Sequence, residues 1–210
     1  MNALTLDRSC APRLVLLVLL LLGCGCASFT SKELRPPSLE EIVRGGKLPA
    51  ITYEFNQSGE FSSSELLLVD AQTRLPAVLR ERIEPLFRRA FEDSKLAKEP
   101  GELHLDLYYR QTLRRPALTY TLALFFVASI GILPAYAEEE LYLEAKLRHH
   151  GTTARQYVYS TGIDTWFHWF MLPLAWSHDP GDVNNAQIDA LVLSLLADLK
   201  RDLPGVLAEH

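Results

Sequence analysis

Hydrophobic and polar residues alternate along several parts of the chain, and this period of two predicts β-strands with one buried face. The pattern occurs in four segments: 51–55, 102–112, 141–148 and 155–160. Between the last two lies His149-His150-Gly151-Thr152, a composition typical of a turn. These last two segments therefore predict an antiparallel β-hairpin.

A period of three to four residues replaces this alternation in two longer segments, 75–94 and 185–203. Apolar side chains recur there on one face, which predicts amphipathic helices. Asn184 or Asn185 is expected to cap the second helix. Strands and helices together predict an α+β domain, with a mostly antiparallel sheet of about four strands and both helices on one face.

A stretch at 117–137 follows neither pattern and contains no charged residue. At about 20 residues it is long enough to cross a bilayer as a helix. It lies between two predicted strands, however, and a single crossing would leave those strands on opposite sides of the membrane. Because they could then not share a sheet, the pattern argues against a lone transmembrane span.

A second apolar stretch, 165–177, contains three tryptophans and is interrupted by Pro173. The first stretch enters the predicted hairpin and the second leaves it, so both should project from the same end as a paired apolar lobe. Two interpretations of this lobe remain open. Both stretches pack within the domain or against its sheet, or the lobe enters one membrane leaflet or docks on a membrane partner, a role that suits tryptophan because it is enriched at membrane interfaces. The candidate contact residues are Leu118, Phe125, Phe126, Trp166, Trp169, Phe170 and Trp176.

The N-terminus has the layout of a secretory signal. Arg8 and Arg13 precede a nine-residue apolar run at 14–22, and Gly23 and Cys24 follow it. Residues 21–24, reading LLGC, resemble the lipobox of bacterial lipoproteins. The resemblance implies that the chain is cut before Cys24 and that this cysteine carries the acyl chains. An uncleaved signal anchor and a cut before Cys26 are the alternatives.

The resemblance to a lipobox also predicts that the protein is located in the cell envelope. Gly25, rather than aspartate, follows the lipid-bearing cysteine, and by resemblance to enterobacterial sorting this favours the outer membrane over the inner one. The predicted organisation is a signal peptide at 1–23, a tether at 24–50 and a single domain at 51–210. Within the tether, Ser38 and Glu41 have the spacing of a capping box for a short helix at 39–44.

Charge and cysteine content exclude several classes of function. The formal net charge of −5 argues against non-specific binding of nucleic acid. All three cysteines lie in the first 26 residues, so the predicted domain has neither a disulfide nor a cysteine metal site. No phosphate-binding glycine loop, G-x-S-x-G or H-E-x-x-H motif is present. We therefore predict no catalytic residue, no metal ligand and no cofactor.

Histidines are the remaining candidates for chemistry. Ser177-His178-Asp179 contains the residue types of a catalytic triad, but adjacent residues are not expected to face one another. His149 and His150 are interpreted as turn residues. His168, within the second apolar stretch, is interpreted as a hydrogen-bonded or interfacial histidine rather than a ligand.

Two further features resemble a set of uncharacterised proteobacterial lipoproteins. One is Gly131-Ile-Leu-Pro134, which ends an apolar run before a strand; the other is Tyr157-Val-Tyr-Ser160, followed by Trp166 and an apolar run that reaches Pro173. The resemblance spans roughly residues 103–176 and implies no known activity. The order of elements is also similar to small α/β domains of periplasmic assembly lipoproteins.

These observations favour a non-enzymatic envelope lipoprotein that acts in assembly or protein interaction. Its partners would be the membrane and an unknown envelope protein. A carrier of lipid or another small apolar molecule, with the lobe lining a groove, is the alternative, and a hydrolase is a third class.

Overall fold

The computed structural model describes residues 25–56, 69–97, 101–129, 132–168, 171 and 177–208. The signal peptide and Cys24 therefore lie outside the described residues, as do Trp169, Phe170 and Trp176. The elements in chain order are β1 (Gly25–Lys32), α1 (Leu39–Val43), β2 (Ile51–Asn56), α2 (Val69–Ala90), β3 (Ser94–Leu96), β4 (Leu103–Leu113), α3 (Pro116–Ala128), β5 (Ala135–His149), β6 (Thr152–His168) and α4 (Pro180–Ala208).

All of these strands belong to one six-stranded sheet with the order β1-β6-β5-β4-β2-β3. β2 runs parallel to both of its neighbours, β3 and β4, whereas the other pairs are antiparallel. The α+β class is confirmed, but the prediction of a mostly antiparallel sheet of about four strands is wrong. The parallel pairs arise because α2 lies between β2 and β4 in the chain and returns it to the same end of the sheet.

The two strands that the sequence pattern did not predict lie at the edges of the sheet. β3 has only three residues, too few for an alternating pattern to appear. β1 reads GCASFTSK, which is small and polar, and it falls within the predicted tether. Instead of forming a tether, residues 25–32 pair with β6 over almost the full length of the strand. The backbone N–H of Ser28 also donates to the carbonyl oxygen of His178, 2.9 Å away, on the outer edge of β1.

One face of the sheet carries the hydrophobic core. α1, α2 and α4 contribute to it, and the side chains of Phe87 and Leu195 are fully buried there. Arg82 of α2 forms an ion pair with Asp189 of α4, so the two long helices lie side by side. From the sheet, the core receives alternate residues of β4 and β5: Leu103, Leu105, Leu107, Leu141, Leu143, Ala145 and Leu147.

Two local predictions are confirmed. Ser38 caps α1, and its side chain and that of Glu41 form the reciprocal hydrogen bonds of a capping box. β5 and β6 form the predicted antiparallel hairpin, closed by His150 and Gly151 with φ angles of 49° and 80°. Positive φ at both loop residues is what the type I′ two-residue hairpin turn requires.

The start of α4 differs from the prediction. The helix begins at Pro180, and the Asp179 carboxylate accepts hydrogen bonds from the backbone N–H groups of Gly181 and Asp182 at 2.8 and 3.3 Å. Asp179 is therefore the N-cap, and Asn184 and Asn185 lie inside the helix. Proline is favoured at the first helical position because it has no N–H to leave unpaired.

Candidate functional site

The first apolar stretch contains α3, and α3 lies at one end of the sheet. The last pair between β4 and β5 is Leu113 with Glu139, yet β5 continues for four more residues, 135–138, paired only with β6. α3 follows β4 directly and contacts β5. The helix thus follows β4 at the point where β4 stops pairing with β5.

α3 carries apolar side chains on every side of the helix, and none of its own residues is buried. The exposed fractions of Leu118, Leu124, Phe125 and Val127 are 41%, 71%, 54% and 73%. A helix on a protein surface normally places polar residues on its outer face, because apolar side chains are driven out of water. α3 has no such polar face, so the contact of its exposed side chains with water is unfavourable.

Local sequence explains why α3 begins and ends where it does. Pro116 stands in its first turn, a position where the missing N–H costs nothing. At the other end, the backbone N–H of Ser129 donates to the carbonyl oxygen of Phe125 at 2.9 Å, and the Ser129 hydroxyl accepts from the N–H of Leu133. α3 has 13 residues, about 20 Å of helix. Among the described residues, no helix is both long and apolar enough to cross a bilayer.

More exposed apolar side chains lie at the same end of the molecule. Ile132 and Leu133 follow α3 and are 71% and 48% exposed, and Trp166 and Phe167 near the end of β6 are each 37% exposed. The His168 Nε2 lies 2.8 Å from the carbonyl oxygen of Ile132, so the end of β6 is joined to the segment after α3. We call α3 together with Ile132, Leu133, Trp166 and Phe167 the apolar tip.

The apolar tip corresponds only in part to the predicted contact residues. Leu118 and Phe125 are exposed, whereas Phe126 is half-buried. Leu124, Val127, Ile132, Leu133 and Phe167 are exposed but were not among the predicted contacts. For the first four, the signal in the sequence was the absence of charge over the whole of 117–137, which marks every apolar residue of that stretch rather than two phenylalanines and a leucine; Phe167 belongs to the second apolar stretch, 165–177.

The N-terminal end of the described chain also lies at the apolar tip. Gly25, the first residue of β1, pairs with His168, the last residue of β6. Gly25 directly follows Cys24, the predicted lipid site, in the sequence. The described chain therefore begins at the end of the sheet that carries the exposed apolar residues.

Charged residues form a boundary behind α3. The Glu138 carboxylate, whose side chain is only 10% exposed, lies 2.6 Å from the guanidinium of Arg114 and 3.5 Å from that of Arg115. The hydrogen bond to Glu138 raises the pKa of Arg114. Burial, followed by a hydrogen bond to Asp164, raises the pKa of Tyr136 to about 12, so this phenol stays neutral beside the tip. Charge is thus present just inside the tip and absent from its outer surface.

The sheet face opposite the core carries a buried polar cluster. The Nδ1 of His104 lies 2.8 Å from the Thr52 hydroxyl, and its Nε2 lies 3.2 Å from the Asp106 carboxylate, which in turn lies 2.8 Å from Nε of Arg148. His104 and Asp106 are 2% and 3% exposed. The cluster was not predicted, because His104 and Asp106 occupy the polar positions of an ordinary alternating strand.

Residue types in this cluster resemble a nucleophile, base and acid, but the hydrogen bonds indicate a structural role. The Thr52 hydroxyl donates to the carbonyl oxygen of Leu103 at 3.1 Å and accepts from the N–H of Gly101 at 2.9 Å. Its proton is therefore committed to the backbone. The cluster ties β2 to the start of β4, and Arg148 supplies the counter-charge for Asp106.

Ser177-His178-Asp179 likewise does not form a triad. The Ser177 hydroxyl lies 2.8 Å from Nδ1 of His178, so these neighbouring side chains do face each other, contrary to expectation. The Asp179 carboxylate, however, caps α4. His168 is buried and hydrogen-bonded to the backbone, as the sequence indicated.

Comparisons with known proteins add little to this picture. No family model and no curated protein matches the chain. A variant of the PelC dodecamer from Paraburkholderia phytofirmans is similar in structure at 13% identity, over 82% of this chain and 97% of that one, with a TM-score of 0.29.

Two other similar structures are named lipoproteins. Rare lipoprotein B from Shewanella oneidensis is 13% identical over 75% of this chain and 94% of that one, with a TM-score of 0.26. A minor lipoprotein from Acinetobacter baumannii is 9% identical over 73% and 88%, again with a TM-score of 0.26. Their names agree with the lipoprotein class at a coarse level, but at these TM-scores the likeness carries no argument about this chain.

Proposed function

We propose that this protein is a lipid-anchored cell-envelope protein whose apolar tip lies in one leaflet of the membrane, and that it acts by interaction rather than by catalysis. The observation that supports this most strongly is the shared position of two features. The exposed apolar helix α3 and the residue bonded to Cys24 are at the same end of one sheet. Acyl chains on Cys24 would hold that end against lipid.

Energetics favour lipid over water around the tip. Removing apolar surface from water contributes roughly 25 cal/mol per Å², or about 1.5–3 kcal/mol for a fully buried large aliphatic or aromatic side chain. Leu124 and Val127 alone are more than 70% exposed, and Phe125 more than half. Insertion of α3 would therefore add several kcal/mol to the binding that the acyl chains provide, and a second signal of this kind is what makes an anchor stable.

Attachment at one end gives the domain a defined orientation. β5 runs from Ala135 at the tip to His149 at the far end, and 15 residues of strand span roughly 45–50 Å. With both attachments at the tip, the sheet would stand away from the bilayer and present its far end to the periplasm. Because glycine rather than aspartate follows Cys24, we propose that the protein is anchored in the periplasmic leaflet of the outer membrane.

An interaction role fits the described surfaces better than that of a carrier. A carrier would need the apolar residues to line a groove, but those of α3 are on the outside of the molecule. A groove on the sheet is lined instead by polar and aromatic residues: Tyr108, Tyr109, Arg110, Tyr142 and Glu144. Lipid that co-purifies at a fixed ratio in native mass spectrometry, with the acyl chains of Cys24 accounted for, would favour the carrier.

Liposome flotation tests the membrane part of the proposal. The chain from residue 25 onward, which lacks the lipid, should float with liposomes of envelope phospholipid, and Phe125→Asp should release it. Val158→Asp is a matched control, because Val158 is 51% exposed but lies in the middle of β6, away from the tip. Equal flotation of the Phe125→Asp variant and the unmodified chain would contradict insertion of α3.

Crosslinking in intact cells tests the interaction part. The lipidated protein with an intact tip, crosslinked and purified, should carry a specific envelope protein. Recovery of the lipidated protein without any reproducible partner would argue against an assembly or interaction role, whatever the outcome of flotation.

A further inference from the structure

The end of the sheet opposite the apolar tip brings together three side chains of the kinds that bind metal ions. They are Glu102, just before β4, and His149 and His150, at the turn between β5 and β6. Oε1 of Glu102 lies 3.9 Å from Nε2 of His149 and 3.8 Å from Nε2 of His150. One ligand atom from each residue lies within 4.8 Å of the other two.

Sheet register and turn geometry create this convergence. His149 pairs with Leu103, the first residue of β4, so Glu102 is carried to the end of β5. The backbone N–H of His150 donates to the carbonyl oxygen of Glu102 at 3.0 Å, which fixes the turn against the start of β4. The positive φ of His150 and Gly151 closes the chain tightly enough to bring the two imidazoles within 4.3 Å, centroid to centroid.

The distances are close to those that a bound ion requires. Zinc binds nitrogen and oxygen ligands at about 2.0–2.2 Å, which places the donor atoms of a tetrahedral site roughly 3.4 Å apart. The separations from Glu102 to the two histidines exceed this by about half an ångström. The side chains of Glu102 and His150 are 70% and 63% exposed, so small rotations can close the gap, whereas that of His149 is only 3% exposed and would act as the fixed ligand.

Ligand chemistry selects the kind of ion. Two imidazoles and one carboxylate suit zinc and neighbouring first-row metals, whereas magnesium and calcium prefer oxygen ligands alone. Three protein ligands leave a fourth position for water, and the exposure of Glu102 and His150 leaves that position open. A second group of possible ligands, Glu54, His104 and Asp106, is less suitable, because Arg148 already provides positive charge 2.8 Å from the Asp106 carboxylate.

We propose that Glu102, His149 and His150 form a binding site for one divalent transition-metal ion of the zinc type. The ion would clamp the β5–β6 turn to the start of β4, at the end of the sheet opposite the apolar tip. This site does not depend on the proposed membrane function, because it lies at the far end of β5 from the apolar tip. Failure of either proposal leaves the other standing.

Titration calorimetry with Zn²⁺ tests the site. The lipidated protein would be purified in detergent without a histidine tag and stripped of metal by a chelator. We expect one saturable Zn²⁺ per chain. Glu102→Gln and His150→Asn should each weaken binding by about tenfold or more, since even residues that only support a ligand cost 10–100-fold. Asparagine is chosen at position 150 because it tolerates positive φ and so preserves the turn.

His178→Asn is the matched control, since it removes one imidazole at the tip end of the sheet, beside Ser28. This variant should bind Zn²⁺ as the unmodified protein does. The electron paramagnetic resonance spectrum of bound Cu²⁺ gives a second readout: coupling to two imidazole nitrogens, reduced to one in His150→Asn. Absence of saturable Zn²⁺ binding, unchanged affinity in both site variants, or an equal loss in His178→Asn would overturn the proposal.

Discussion

Two helices of this protein are rich in apolar residues, but only one of them is buried. α4 contributes nine buried residues, among them Leu191, Leu195 and Leu199, on the side that faces the sheet. α3 contributes none. The two helices differ in their charged residues. α4 has charged residues such as Asp198 and Lys200 between the residues of its apolar stripe, whereas α3 contains no charged residue.

The comparison shows that apolar content and burial are separate properties. The apolar stripe of an amphipathic helix indicates which surface of its own domain the helix covers, because the stripe must match that surface. A helix that is apolar on every side and still exposed indicates an apolar partner or medium outside the domain. α3 stands at the end of the sheet next to Gly25, so the nearest apolar medium is the one that the acyl chains of Cys24 would enter.

Truncating one leucine in each helix should separate the two roles most clearly. Leu195→Ala, in α4, should lower the free energy of unfolding by ~2–5 kcal/mol, since it removes a fully buried side chain and leaves a cavity. Leu124→Ala, in α3, should change it by less than ~0.5 kcal/mol, because that side chain is 71% exposed. Urea denaturation of the chain from residue 25 onward, without lipid, measures both.

A loss of ~2 kcal/mol or more in Leu124→Ala would mean that α3 is part of the core. The comparison on which the membrane proposal depends would then fail. Val127→Ala, at a neighbouring exposed position of the same helix, provides an independent check, and it too should be close to neutral.

The helix starts offer a comparison of smaller size. Asp179 caps α4 with two hydrogen bonds, whereas Arg115, at the equivalent position of α3, makes no side-chain capping bond. Asp179→Ala should therefore cost ~1 kcal/mol of stability, the usual value of an N-cap. Arg115→Ala should cost little, since it lies 3.5 Å from Glu138 and is largely exposed. Equal effects in thermal denaturation would contradict this difference.

Contacts of α4 with β6 should also give the protein an alkaline limit. Burial, then a hydrogen bond to Asp198, raises the pKa of Tyr159 above its ordinary value of 10.0, and burial together with Asp202 does the same for Tyr157. Because these pKa values are raised in the folded state, each phenol contributes stability that is fully present below about pH 10. This contribution is lost as the pH rises further, because the tyrosine of the unfolded state loses its proton first.

Tyr159→Phe tests this limit, since phenylalanine cannot ionise. The free energy of unfolding, measured by urea denaturation at about pH 9–11, should fall less steeply with pH in the variant than in the unmodified chain. An identical slope in the two proteins would show that the phenol of Tyr159 is no more protected in the folded state than in the unfolded one.

Much of the fold was predictable from the sequence because its signals are local. The alternation of residues 141–148 and 155–160 and the turn at His150 and Gly151 predict the β5–β6 hairpin. The stripe of leucines along α4 predicts its buried face. In each case the residues that form the element also carry the pattern that identifies it.

The parts that could not be predicted depend on contacts between distant segments. β1 is recognised only by its partner, since a run of small and polar residues acquires its strand conformation from pairing with β6. The same holds for the polar cluster around His104 and for the convergence of Glu102 with His149 and His150, which follow from strand register rather than from any spacing in the sequence. Exposure of α3 likewise required knowing that no other element covers it within the described structure.

Tryptophan fluorescence offers the most direct measurement of the central claim, that the apolar tip lies in lipid. The three tryptophans of the chain, Trp166, Trp169 and Trp176, all belong to the second apolar stretch, so the intrinsic emission reports that region. The lipidated protein should be reconstituted into vesicles with brominated acyl chains, which quench only fluorophores within the bilayer. We expect strong quenching relative to unbrominated vesicles, reduced by Phe125→Asp. Unchanged emission while the protein remains bound to the vesicles would contradict the claim.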